Sequence, residues 1–310
     1  MRVLVTGGAG YLGSVLCEHL LDAGYQVTVV DNLLYKQKTL FHLCNNSNFE
    51  FVFGDVRNKE LMTRLLKNTD IIIPLAAIVG APACDLDPQL ATAVNLDAIK
   101  LLNQLRSKHQ LIIYPTTNSG YGVKSGDVFC TEETLLKPIS LYGKTKTDAE
   151  TEILGSENAI TLRLATVFGM SPRMRLDLLV NHFVYAAVKD SYIVIFEKNF
   201  KRNFVYIRDI AECFLFCIKN SQKMIGQPFN VGLDSANLSK EELALKIKKY
   251  LPNFYIHFAE VGTDPDKRNY IVSNQRLSET GFIAKHSLEE GIEELIKGYQ
   301  MMHREEFKNV

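Results

Sequence analysis

MRVLVTGGAGYLGS, residues 1–14, decides the fold. Val3, Leu4, Val5 and Thr6 form a short β-prone run that breaks into glycines and continues as an apolar helical pattern. Gly7, Gly10 and Gly13 have the spacing that turns a strand sharply, brings backbone close to a diphosphate and packs the next helix against a sheet. The first N–H groups of that helix lack intrahelical partners and face anions. Glycine triplets at this spacing also occur by chance; the strand before and the helix after give this one its meaning. A second strand, QVTVVDN, ends in Asp31, eighteen residues after Gly13. A carboxylate there accepts both hydroxyls of an adenosine ribose and repels a 2′-phosphate, so NAD is expected rather than NADP.

Composition narrows the class. The chain has 310 residues, 46% hydrophobic and 23% charged, enough to bury a large core. Lys plus Arg and Asp plus Glu are 35 each, so no overall positive field draws nucleic acid or anionic membrane. No run approaches twenty apolar residues and no basic-then-apolar leader opens the sequence, which points to a cytoplasmic protein. Six cysteines show no CxxC, and Cys213 and Cys217, four apart in an apolar run, read as core packing; no metal is expected.

The remainder alternates strand and helix, the signature of a doubly wound parallel sheet. The expected elements are a helix at 12–23 with a structural His19, a strand at 26–30, a poorly defined crossover through 31–48, and a strand at 49–55. A helix at 58–67, a strand at 70–77, a long helix at 89–108 and a strand at 110–115 follow. Asp55, with Val56 beside it, is placed to receive an adenine amino group, though a turn-forming Asp also fits. Leu75, Ala76 and Ala77 let backbone approach the cofactor, or simply pack. Asn95 interrupts an apolar helix face, and a structural partner is as consistent as a functional one. Thr116, Thr117, Asn118 and Ser119 follow a sheet strand, where open α/β sheets place their active sites.

The helix 140–153 carries Tyr142 and Lys146, which at i,i+4 share one face. A phenol titrates near 10 and is a poor base at neutral pH. A neighbouring ammonium lowers that value, so Tyr142 can take a hydroxyl proton while the alcohol carbon gives hydride to NAD. Thr117 can hold the same oxygen.

Taken together, GGAGYLG (7–13), Asp31, GDV (54–56), LAA (75–77), TTNSGYG (116–122), YGKTK (142–146) and FNVG (229–232) resemble the extended short-chain dehydrogenases/reductases of the nucleotide-sugar epimerase and dehydratase branch. The resemblance implies a Rossmann-type NAD-binding domain over 1–165, with a possible returning segment near 204–232, and a smaller nucleotide-sugar-binding lobe over 166–310. It makes Tyr142 the base, Lys146 its ribose-binding partner and Thr117 the Ser/Thr position. Cofactor contacts are expected at Gly7, Gly10, Tyr11, Leu12, Gly13, Asp31, Asn32, Asp55, Val56, Leu75, Ala76, Ala77 and Asn95. It also implies a homodimer through helices near 89–108 and 142–155.

Two departures bear on the reaction. Asn118 and Ser119 stand where 4,6-dehydratases carry an Asp-Glu pair, which argues against water elimination. Thr166, in RLATVFG, stands in a segment where UDP-sugar 4-epimerases carry a diphosphate-binding Asn; this argues against UDP-galactose-type substrates and leaves epimerisation open. Arg173, Arg175, Arg202 and Arg268, with the amide of Asn181, are expected to hold the nucleotide diphosphate in the second lobe. Arg208 beside Asp209 reads as a local pair. Ser239 before a Glu-rich turn reads as a helix cap, and the tail 303–310 is expected to fray.

The runs IIPLAAIVGAP (72–82), YPTTNSGYG (114–122), RLATVFGMSPRMRLDLLVN (163–181) and DPDKR (264–268) further resemble the nucleotide-heptose 4-dehydrogenase group, whose members act in capsular heptose biosynthesis. That resemblance implies NAD-dependent oxidation of C4 of GDP-D-glycero-α-D-manno-heptose. The alternatives are a 4-epimerase that uses NAD without consuming it and, more remotely, a non-enzymatic NAD sensor.

Overall fold

A computed structural model describes residues 1–123, 128–260, 262 and 268–302. Residues 264–267 of DPDKR, and the tail 303–310 with its expected fraying, lie outside the described residues.

The centre is a seven-stranded, all-parallel sheet. Its first five strands are β1 (Arg2–Thr6), β2 (Gln26–Asp31), β3 (Phe49–Phe53), β4 (Ile71–Pro74) and β5 (Leu111–Thr117). Across the sheet the order is Pro228–Val231, Ala159–Leu164, β5, β4, β1, β2, β3. The order reverses between β1 and β4, and both strands end at the glycine turn: Leu75 donates its N–H to Thr6 O, and Gly7 to Val30 O. Such a reversal opens a crevice at the strand C-termini. Outside the edge strand β3, whose residues are half-buried or exposed, most strand residues are buried from both sides, as parallel sheets require. Val3, Val5, Val27 and Val29 join one apolar cluster, while Leu4, Val30, Ile72 and Ile112 join another on the opposite face.

Helix α1 (Tyr11–Asp22) follows the glycines and ends before Gly24, whose φ of +83° takes the chain out of the helix. The crossover from β2 to β3 carries only a three-residue 3₁₀ turn, Phe41–Leu43. Helix α2 (Lys59–Leu66) is capped by the Asn58 side chain accepting from Leu61 N. The long helix expected at 89–108 is divided: Pro88–Thr92 is α-helical, Ala93–Asp97 is a π-helical turn, and Ala98–Leu105 resumes the α-helix. Asn95 lies in the π turn, so the polar break in the apolar face coincides with a break in the hydrogen-bond ladder.

Beyond the sheet, Thr166–Phe168, Lys201–Tyr206 and Asn237–Ser239 form a three-stranded sheet, and Tyr192–Ile195 pairs with Tyr255–Phe258. The chain returns to the main sheet at Pro228–Val231. Ser239 starts the helix Lys240–Tyr250 with a reciprocal capping box to Glu242, and Ser287 does the same with Glu290 for Leu288–Met301. Cys213 and Cys217 are buried in the core. Arg208 does not pair with Asp209. It binds Glu294 at 2.5 Å and the Tyr206 hydroxyl, whereas Asp209 accepts from the Lys285 and His286 N–H groups and contacts His286 Nδ1 at 2.8 Å. No helix among the described residues is long and apolar enough to cross a membrane, and no group of three or more His, Cys, Asp or Glu there could hold a metal ion.

Candidate active site

The glycine turn is built by close approach. Gly7 has φ +69°, and a Cβ on it would lie 2.6 Å from Ala76 N. A Cβ on Gly13 would lie 2.6 Å from both Gly7 O and Gly8 Cα, so only glycine lets α1 begin this near the loop. Gly10, before the first helical residue, supplies no side-chain cap to the N-terminus. The Leu12 side chain packs on the apolar core. The Tyr11 side chain has a structural task instead: its hydroxyl donates to Gly169 O at 2.7 Å and accepts from Asn181 Nδ2 at 3.1 Å.

Asp31 is buried at the end of β2. Its Oδ2 accepts from Ala9 N at 3.0 Å and its Oδ1 from Leu33 N at 2.8 Å, so the carboxylate ties the glycine turn to the segment after β2. Burial pushes its carboxyl above the usual value, and the Leu33 and Ala9 N–H groups oppose the shift. Each oxygen still has a lone pair for a ribose hydroxyl. Asn32 accepts from Leu34 N and also interacts with Asp55. Asp55 forms a bidentate pair with Arg57, at 2.9 and 2.7 Å, which holds its carboxyl below the usual value. Val56 packs beneath on the second core cluster. Ala76 N donates to Thr6 Oγ1, fixing the Leu75–Ala77 backbone beside Gly7. Asn95 does not present its amide to the crevice: Oδ1 accepts from Ile78 N at 2.8 Å, and Nδ2 donates to Ile78 O at 2.9 Å and Thr145 Oγ1 at 3.4 Å. It braces the segment after β4 against the helix Leu141–Leu154.

That helix, capped by Ser140 accepting from Gly143 N, carries Tyr142 and Lys146. Among the described residues neither the Tyr142 hydroxyl nor the Lys146 ammonium has a hydrogen-bond partner. Lys146 Nζ rests 4.0 Å from the centre of the Tyr114 ring. Burial pushes its ammonium down to about 7, opposed by Glu150 one turn on. Burial also pushes the Tyr142 phenol up, and the leading cations that oppose it are Arg175 and then Arg268. The sequence assigns that work to Lys146, whose ammonium instead lies over Tyr114. Tyr114, Glu150 and Arg175 are thus parts of the electrostatic setting that sequence spacing did not single out as such. Glu150's position, one turn from a buried lysine on the same face, was the available signal.

Thr117 ends β5, with its Oγ1 donating to Ser119 Oγ at 2.9 Å and accepting from Ser119 N at 3.1 Å. Arg268 also hydrogen-bonds Ser119 Oγ. Both polar atoms of the buried Asn118 amide lack hydrogen-bond partners. Thr166 is half-buried in the small sheet, paired with Phe204. The other expected substrate contacts diverge. Arg175 pairs with Asp177 at 2.5 Å and acts on Tyr142. Arg173 donates to Met174 O and stacks 5.0 Å from the Tyr35 ring, beyond the end of β2. Arg202 is buried, donates to Lys201 O and lies 5.7 Å from the Tyr270 ring. Asn181 is fully buried and spends its amide on Gly169 N, the Tyr11 hydroxyl and Arg175 O. It braces the loop 169–175 rather than offering the amide expected for a diphosphate.

A glycine cradle that any Cβ would fill, a carboxylate at the end of β2, and a tyrosine and lysine with uncommitted polar ends suit a bound dinucleotide. They fit a dinucleotide-dependent enzyme. Residues 3–232 match the model of the NAD dependent epimerase/dehydratase family, and the chain belongs to that family. An uncharacterized UDP-glucose epimerase, YtcB, of Bacillus subtilis (strain 168) is 31% identical over 266 residues, covering 80% of this chain and 79% of the relative. UDP-glucuronic acid decarboxylase 1 of Arabidopsis thaliana is 26% identical over 314 residues, covering 97% of this chain and 70% of the relative. The crystal structure of UDP-glucuronic acid 4-epimerase from Bacillus cereus, in complex with UDP-glucuronic acid and NAD, superposes with a TM-score of 0.84 at 26% identity, covering 97% of this chain and 99% of that one. The protein is an NAD-binding enzyme acting on a nucleotide-linked sugar.

Proposed function

We propose that the enzyme oxidises the C4 hydroxyl of a nucleotide diphosphate sugar and that its net reaction is 4-epimerisation. The observation that carries this reading is the pairing of an uncommitted Tyr142 hydroxyl with neutral residues, Asn118 and Ser119, at the two positions after Thr117. Oxidation needs one group to move the hydroxyl proton, and elimination needs further acid and base groups. Tyr142 is the proton acceptor, Thr117 orients the C4 oxygen, and Arg175 and Arg268 oppose the upward shift that burial gives the phenol. Lys146 binds the cofactor ribose. The glycine turn and the N-terminus of α1 receive the diphosphate, Asp31 the adenosine ribose, Asp55 with Val56 the adenine, and Leu75–Ala77 the nicotinamide side. Bound NAD supplies the hydride acceptor. Residues after 165 contribute most of the sugar-nucleotide lobe, with Arg202 and Arg268 reaching the substrate. A homodimer through the helices at 88–105 and 141–154 belongs to the same proposal.

The relatives support epimerisation over net dehydrogenation, since one is named an uncharacterized UDP-glucose epimerase and another a UDP-glucuronic acid 4-epimerase. The heptose-like runs make GDP-heptose a substrate to offer beside UDP-glucose and UDP-glucuronic acid. Incubation of each with the enzyme and NAD, followed by mass spectrometry and NMR of the sugar, separates the reactions. Unchanged mass with inverted C4 is expected. Loss of two hydrogens from GDP-heptose establishes the dehydrogenase instead, and loss of water establishes a dehydratase.

A further inference from the structure

Below Tyr142 lies a buried charge cluster in which the proposed chemistry uses Lys146 and leaves Glu150 and Arg163 without a task. Lys146 and Glu150, 5% and 2% exposed, occupy the inner face of the helix Leu141–Leu154. They meet a square of residues on the sheet, because Tyr114 of β5 is opposite Thr161 and Thr116 is opposite Arg163 on the neighbouring strand. Residues two apart on a strand share a face. Glu150 Oε1 accepts from Arg163 Nε at 2.8 Å and from Thr161 Oγ1 at 3.3 Å. Arg163 is itself fixed by donating to the Tyr121 hydroxyl at 3.1 Å and to Glu132 O at 3.0 Å. Glu150 Oε2, by contrast, is buried without a well-formed hydrogen bond, although the Thr116 hydroxyl lies near enough to favour the charged carboxylate.

A buried ion pair is weak support for a fold, and one with a bare oxygen is weaker still. Its placement makes sense against Lys146, one turn away, whose ammonium has an aromatic face beneath it and no hydrogen-bonded carboxylate. We propose that Glu150 is a positioning residue for the reaction: held by Arg163 and Thr161 one turn along the inner face of the helix, its carboxylate favours the charged form of Lys146 where the cofactor ribose binds.

The other groups around this helix do not replace it. Tyr114 from β5, Tyr121 from Asn118–Tyr121 and Cys84 from Ala81–Leu86 are pushed upward by burial and stay neutral near pH 7, and Tyr142 from the same helix, also pushed upward by burial, is the proton acceptor itself. Arg163 is cationic, and Asp97 of the π turn is exposed to solvent. Burial disfavours the charged form of both Lys146 and Glu150; Glu150 opposes it at Lys146, and Arg163 opposes it at Glu150. The order of influence therefore runs from Arg163 through Glu150 to Lys146.

The inference rests on Lys146 serving the reaction proposed above, yet its first readout is not turnover. Glu150→Gln keeps an acceptor for Arg163 and Thr161 and removes the charge. The titration midpoint of Lys146, read by NMR of 15Nζ-labelled lysine in the folded protein, is expected to fall by roughly one pH unit or more. The alkaline limb of kcat should move acidward with it, so that rate lost at high pH returns at lower pH. Thr161→Val, which removes one hydrogen bond and no charge, should leave the midpoint in place. If Glu150→Gln does not fold, Glu150→Asp withdraws the charge by one methylene and should give a smaller acidward shift. An unmoved Lys146 midpoint in the folded variant, or a rate loss equal at every pH, overturns the proposal. If no nucleotide sugar is turned over, the midpoint still reports on Glu150, which keeps failure of the functional reading distinct from failure of this one.

Discussion

Replacing Asp31 with Asn separates two tasks that one carboxylate carries. Its oxygens accept from Ala9 N at 3.0 Å and Leu33 N at 2.8 Å, in a setting only 8% exposed. Asn keeps one acceptor and turns an amino group toward the other N–H, leaving a buried donor unpaired at a cost of about 1–3 kcal/mol. The second loss falls on the ribose. Hydrogen bonds to a charged acceptor contribute about 1.5–3 kcal/mol each, so two weakened ribose contacts remove about 3 kcal/mol at the low end, more than 100-fold in affinity. NADP gains from removal of a like charge beside its 2′-phosphate. Calorimetric titration of wild type and Asp31→Asn with NAD and NADP, paired with thermal unfolding, reads both tasks. The Tm should fall, NAD should weaken by about 100-fold or more, and the preference for NAD over NADP should fall at least tenfold by the same arithmetic. An unchanged preference, with both cofactors equally weakened, would refute the ribose role and leave Asp31 as a tether for the glycine turn.

Tyr142→Phe should lower turnover by about 10²–10⁴, the range for a lost acid–base group, with NAD affinity by calorimetry unchanged; near-normal turnover removes Tyr142 from the role of base. Gly13→Ala places a methyl 2.6 Å from Gly7 O and Gly8 Cα. Because both neighbours are backbone, α1 must shift at a cost of about 1–3 kcal/mol, so the Tm should drop and NAD should weaken more than the nucleotide sugar. A variant with wild-type Tm and NAD affinity contradicts that packing. Lys146 also gives the cofactor-free protein a pH signature. It releases its proton near 7 when folded, but only near 10.4 when unfolded. The unfolded state therefore holds more protons between these values, and stability rises with pH, approaching about 1.4 kcal/mol per unit from this group. Urea unfolding from pH 7 to 8 should show the rise and a flat profile contradicts it; above that range the buried thiols Cys17 and Cys84, pushed up by burial, and Cys213, pushed up by its hydrogen bond with Cys217 and by burial, act in the opposite sense.

What was legible in the sequence was local. The glycine spacing, the β2 terminus at Asp31 and the i,i+4 relation of Tyr142 and Lys146 are set by neighbouring residues, and the parallel sheet follows from the alternation that contains them. What was not legible depends on partners far along the chain. Asn95 spends its amide on Ile78, and Asn181 on Gly169 and Tyr11. Arg208 finds Glu294 rather than its neighbour Asp209. Arg173 turns to Tyr35 beyond β2, although it lies two residues from Arg175. The sense of the Tyr142 shift was equally hidden. An adjacent lysine suggests a lowered phenol, but burial raises it and the opposing cations come from two distant loops.

The central claim, C4 oxidation followed by return of hydrogen to the same carbon, is tested most directly with a nucleotide sugar carrying deuterium at C4. Incubated with wild-type enzyme and NAD, it should give product of unchanged mass, inverted at C4 and with the deuterium retained there. Product that has lost the label to free cofactor, or that has lost water, contradicts the claim.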